Sequence, residues 1–119
     1  MKKVLVVDDS LSVGRQLSQI IAGTGEFEVI GPARNGVEAI KMYQTDRPDI
    51  VCLDMNMPVM DGPTALRSIM AIDRNARVVM ITSLGGVGDK FTEALKLGAR
   101  NVISKPFKPD EVLKVLREL

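Results

Sequence analysis

Val4-Leu5-Val6-Val7-Asp8-Asp9-Ser10 opens the chain with a short apolar run, rich in β-branched residues, that breaks into two carboxylates and a good helix N-cap. A run of this length without polar alternation predicts a strand covered on both faces. The same unit recurs. Ile50 to Leu53 ends in Asp54, Val78 to Ile81 in Thr82 and Ser83, and Val102 to Ile103 in Ser104 and Lys105. Phe27 to Ile30 is weaker and reads as an edge strand. Between these runs apolar residues return at helical spacing. The sets are Val13, Leu17, Ile20 and Ile21; Ala39, Ile40 and Tyr43; Ala65, Leu66, Ile69 and Met70; Phe91, Ala94 and Leu95; and Val112, Val115, Leu116 and Leu119. Five strands alternating with five helices predict an α/β domain whose parallel strands are joined by right-handed crossovers.

A doubly wound (βα)5 chain is accommodated by the flavodoxin-like strand order 2-1-3-4-5, where ligands sit beyond the carboxyl ends of strands one and three. The 119 residues, 45% hydrophobic, suit one domain spanning 1–119, with no repeat or linker to divide it. Sixteen basic against 15 acidic residues give a formal charge of +1 and no global footprint for nucleic acid or an anionic membrane. No apolar stretch approaches a membrane span, and acidic residues follow Met1 too soon for a signal peptide, so a cytoplasmic protein is expected. Cys52, alone and inside an apolar run, reads as a reduced buried thiol.

The predicted ligand edge collects Asp8 and Asp9, Asp54, Thr82 and Ser83, and Ser104 and Lys105. Singly these have ordinary explanations: Ser10 caps a helix and Thr82 is a β-former. Together, the strand order sets Asp54 between the strand-one carboxylates on one side and Thr82 and Lys105 on the other. Strands lie about 4.8 Å apart, so Lys105 must extend across strand four to arrive. Two carboxylates about 4 Å apart repel by roughly 4 kcal/mol at an effective dielectric near 20. Three therefore need compensation, which a divalent cation and Lys105 supply to a formal sum of zero; an acid cluster with one carboxylate protonated is the alternative. All-oxygen ligands favour Mg²⁺, with Mn²⁺ as a substitute. Such a site suits phosphoryl transfer onto a carboxylate, with Asp54 as nucleophile. Lys105, Thr82 and the backbone N–H groups of Met55, Asn56 and Ser83 would face the charge on the equatorial oxygens.

The chain resembles bacterial two-component response-regulator receivers, above all single-domain chemotaxis regulators of the CheY type. The resemblance runs through Val6-Val7-Asp8-Asp9-Ser10, Asp54-Met55-Asn56-Met57-Pro58-Val59-Met60-Asp61-Gly62, Thr82-Ser83 and Lys105-Pro106-Phe107, and so through essentially the whole sequence. It implies that Asp54 is phosphorylated from a histidine kinase or phosphotransfer domain. It also implies that Asp9 and Asp54 ligate magnesium directly, Asp8 through water, and the Asn56 carbonyl as a further ligand. Lys105 and Thr82 would contact phosphoryl oxygens, and the Lys105-Pro106 bond would be cis. A monomer signalling to a downstream protein through helix four, strand five and helix five is implied as well. One position departs from the pattern: Thr82 is present, but the switch residue three before the lysine, usually Tyr or Phe, is Val102. A small β-branched side chain has no ring to swing, so the readout is expected in the loop of Gly85, Gly86 and Gly88.

Those glycines satisfy neither nucleotide template, because Phe91 and Lys90 stand where glycine is needed. A turn before a helix capped by Asp89 is the plainer reading. The methionines, Met57 and Met60 included, read as core and loop filler. With no histidine, the chain is not itself a phosphohistidine donor. An aspartate-nucleophile phosphatase would carry a second carboxylate where Asn56 stands, so no enzyme acting on external phosphoesters is expected. A flavin carrier of the same fold would need aromatics, and the chain has no Trp and one Tyr. A stand-alone regulator is expected, with a receiver cut from a longer, for example DNA-binding, regulator as the alternative.

Overall fold

Strand β1 (Lys2–Val7) leads into α1 (Leu11–Ala22), and the alternation continues through β2 (Phe27–Ala33), α2 (Gly36–Asp46), β3 (Ile50–Asp54), α3 (Gly62–Ile72), β4 (Val78–Thr82), α4 (Asp89–Lys96), β5 (Asn101–Ser104) and α5 (Pro109–Arg117). The computed structural model describes residues 1–57, 59–83 and 89–119, without the side chains of 89–91. The readout loop expected at Gly85, Gly86 and Gly88, the Asp89 cap, the Phe91 side chain and Pro58 thus lie outside the described residues. All strand pairs are parallel, as the alternation predicted, and they stand in the order β2-β1-β3-β4-β5 that such a chain accommodates.

Successive strand residues feed opposite cores, which is why the runs are continuously apolar. Leu5, Val7, Val51, Leu53, Val78 and Met80 pack with α2, α3 and Ala94 of α4. Val4, Val6, Ile50, Cys52, Val79, Ile81 and Ile103 pack with Leu17 and Ile21 of α1 and Val112, Val115 and Leu116 of α5. Met57 is buried and Met60 packs against the first core, in keeping with their reading as filler. Leu95 departs from its expected core stripe: it is 40% exposed, while Leu97 packs inward. No helix among the described residues is long and apolar enough to cross a membrane.

β2 runs three residues past its expected end. Leu5 pairs with Ile30 but Val7 pairs with Ala33, so β2 carries one extra residue at this point. Gly31 absorbs it at φ +101°, and Pro32 sits on an edge strand, where a missing N–H is tolerated. The detour matters for the site, because the Ala33 carbonyl accepts the Asp8 N–H at 3.0 Å.

Candidate functional site

Val7 pairs with Leu53, Asp54 with Ile81, and Thr82 with Ser104, so the strand ends stand level and their polar residues converge. Ser10 links the turn after β1 to α1. Its hydroxyl accepts the Val13 N–H as N-cap, and its own N–H donates to Asp8 Oδ1 at 2.9 Å. The Asn56 N–H donates to Asp54 Oδ1 at 3.2 Å. Asp8, Asp54 and Thr82 are buried at 3%, 2% and 1% exposure, whereas Asp9 is exposed on the rim.

Lys105 crosses β4 as its position required. Its Nζ lies 3.2 Å from Asp8 Oδ2 and 3.6 Å from Asp54 Oδ1. The Lys105-Pro106 bond is cis. Oxygen atoms of Asp8, Asp9 and Asp54 all lie within 4.8 Å of one another. Burial, then the Asp8 carboxylate and to a smaller degree that of Asp9, push the Asp54 carboxyl up to about 6, against the opposing pull of the Asn56 N–H and Lys105. One ammonium faces three carboxylates, which leaves the cluster with excess negative charge when all three are ionised. An all-oxygen donor set whose atoms lie within 4.8 Å of one another fits a hard divalent cation such as magnesium.

Thr82 is buried beside this cluster, but its hydroxyl donates to the Ser83 carbonyl at 3.3 Å. One expectation is corrected. The Met55 N–H does not face the site; parallel pairing continues one residue beyond Asp54, and this N–H donates to the Ile81 carbonyl at 2.9 Å. Val102 is half-buried against the core shared with α2, α3 and α4, so any signal passing through it reaches that face. Cys52 is fully buried, and desolvation pushes its thiol to about 12, which leaves it without nucleophilic use. Sequence reasoning missed the Ala33 carbonyl, since an irregular edge strand leaves only the weak signal of Gly31-Pro32. A separate concavity of about 290 Å³ is lined by Tyr43, Arg47, Asp49, Asp73 and Arg77 among others and shares no residue with the acidic cluster.

Residues 4–117 match the family model described as response regulator receiver domain. The chain is 43% identical over 118 residues to the chemotaxis protein CheY of Listeria monocytogenes, covering 99% of this chain and 98% of that protein. A chain in the CheX–CheY–BeF3–Mg complex from Borrelia burgdorferi superposes with a TM-score of 0.93 at 40% identity, over 98% of this chain and 87% of that one. A protein-glutamate methylesterase/protein-glutamine glutaminase of Caldanaerobacter subterraneus is 49% identical over 105 residues, which make up 87% of this chain and 28% of that protein.

Proposed function

The chain belongs to the response regulator receiver family, and from that premise we propose that it accepts a phosphoryl group on Asp54 from a partner histidine kinase or phosphotransfer domain. The observation that carries this reading is one buried carboxylate, Asp54, standing within 3.6 Å of the Lys105 ammonium and close to the Asp8 and Asp9 carboxylates. The Asp54 oxygen attacks phosphorus, the bond to the donor nitrogen breaks, and its electron pair leaves with the donor imidazole. Asp54 must be ionised to attack, and a carboxyl near 6 is largely so at neutral pH.

Asp8, Asp9 and Asp54, with the Asn56 carbonyl, would hold Mg²⁺, for which Mn²⁺ can substitute. When bound, the ion supplies charge neutralisation to the carboxylates and the transferred group. Lys105 meets one developing oxygen charge. Thr82 turns from the Ser83 carbonyl to donate to another, and the N–H groups of Asn56 and Ser83 serve the rest. The Borrelia relative, in complex with BeF3 and Mg, supports this assignment by similarity.

The output is a protein contact made in the cytoplasm by the surface of α4, β5 and α5 of a monomer, and the match to CheY proteins supports a chemotaxis-like pathway. Without an aromatic at Val102, the signal passes through Thr82 and the segment that leads into α4. No turnover of external phosphoesters accompanies it. A second reading, favoured by the methylesterase match, is that the chain is the receiver of a longer regulator. The gene beyond the Leu119 codon decides between them.

Incubation with acetyl phosphate and magnesium, followed by peptide mapping of an alkali-labile modification, tests the central reading. Modification at Asp54, lost on chelation of the metal, is expected. A modified residue other than Asp54 would overturn it.

A further inference from the structure

Helix α3 starts almost on top of the strand that carries Asp54. Its first residue, Gly62, donates its N–H to the Met55 carbonyl at 3.0 Å. A Cβ at this residue would lie 2.5 Å from the Asp54 carbonyl oxygen, 2.6 Å from Met55 Cα and 2.9 Å from Met80 Cε. Two of the three obstacles are backbone, and they are the backbone of Asp54 and its neighbour. Ordinary contact begins at 3.4 Å, so an alanine would push Asp54 and α3 apart by up to about 0.9 Å. Gly62 has no positive φ, so conformational freedom is not what it supplies; it supplies close approach.

The helix cannot easily yield instead. Asp61 Oδ1 accepts the Thr64 N–H at 2.8 Å and fixes the first turn, and Ala65, Leu66 and Ile69 are fully buried in the core below it. Met80, on β4, fills the remaining space beneath the glycine. The displacement therefore falls on the exit of β3, which carries both the Asp54 carboxylate and the Asn56 N–H bonded to it.

We propose that Gly62 is a positioning residue for phosphoryl acceptance. Its missing side chain lets α3 press the β3 exit into the place where Asp54 meets Lys105 and the neighbouring carboxylates. This rests on the reading of Asp54 as phosphoacceptor. The position matters because in-line transfer depends on geometry, and a misplacement near 1 Å can cost up to about 10²-fold in rate.

The test compares Gly62→Ala with Gly36→Ala. Gly36 is a matched control: a Cβ there also meets atoms at 2.8 Å, but all belong to the Met60 side chain and none to Asp54 or Met55. Labelling by acetyl phosphate and Mg²⁺ affinity by calorimetry are measured on the full chain. All variants are held at about 10 °C in about 1 M trimethylamine N-oxide, which favours the compact state of each alike. Gly62→Ala is expected to label roughly 10- to 100-fold more slowly and to bind Mg²⁺ several-fold more weakly, with Gly36→Ala within about twofold of wild type in both. Wild-type labelling and Mg²⁺ affinity in Gly62→Ala would overturn the proposal. So would equal losses in the two variants, which would reduce both to general strain. If the wild-type chain itself fails to label on Asp54, it is the phosphoacceptor reading that falls.

Discussion

Asp54→Asn exchanges one carboxylate oxygen for an amide at a side chain that is almost fully buried, and it should stabilise the metal-free protein at neutral pH. In the fold the Asp54 carboxyl is pushed from 3.8 to about 6, first by burial and then by Asp8. Between those values the folded chain keeps a proton that the unfolded chain has released, so the free energy of unfolding falls as pH rises through this window. Each tenfold in proton affinity is worth about 1.4 kcal/mol, which sets a ceiling of about 3 kcal/mol. The site opens to solvent at exposed Asp9, and screening there reduces the expected penalty to about 1–2 kcal/mol. Asparagine carries none of it, and Lys105 keeps Asp8 as a partner at 3.2 Å. Urea melts in chelator should find the two proteins equally stable at about pH 3.5 and the variant ahead by about 1–2 kcal/mol at about pH 7.5. Magnesium at about 100 times its Kd should then stabilise the wild type by about 2.7 kcal/mol and the variant by much less. A variant less stable than wild type in neutral chelator, or a gain that does not change with pH, would refute the reasoning.

Lys105→Met takes the ammonium from between Asp8 and Asp54; labelling by acetyl phosphate should drop by about 10²-fold or more, and wild-type rates would remove Lys105 from the reaction. Leu66→Ala, at a fully buried position of α3, should cost about 2–5 kcal/mol in urea melts. Tyr43 is the chain's single tyrosine, and burial, followed by its bond to Asp73, raises its phenol above 10. Its ultraviolet titration should therefore have a midpoint above that of the urea-unfolded chain, and coincident curves would contradict the burial. Cys52 should resist thiol reagents at neutral pH until the protein unfolds, since burial holds the thiol at about 12; fast native labelling would show that β3 opens.

Most of the architecture was legible because the two faces of the sheet are both covered. Val4 to Val7 and Ile50 to Leu53, short, rich in β-branched residues and without polar alternation, read as strands buried on both sides, and the helical stripes around Leu17 or Leu116 each demand a sheet face. Residue types at the strand ends were equally plain, since Asp8, Asp54 and Lys105 break runs that are otherwise apolar. Boundaries were harder where local preference and pairing disagree. β2 continues through Gly31 and Pro32 against both residues' strand preference, because an extra residue on an edge costs little and lets Ala33 hold the Asp8 N–H. The Met55 N–H was misassigned for a related reason: whether a residue past a strand end is still paired depends on the neighbouring strand's length.

The sequence by itself determined the five βα units and the set of chemical groups at the strand ends, because hydrophobic period and strand-end residue type are local properties. Only the tertiary structure decided that Lys105 divides itself between Asp8 and Asp54, that Thr82 rests on the Ser83 carbonyl, and that Gly62 sits against the Asp54 backbone. The first and third of these depend on distances between separate elements of the fold. Such distances are set by how side chains fill the space between packed layers, and no local pattern encodes that space.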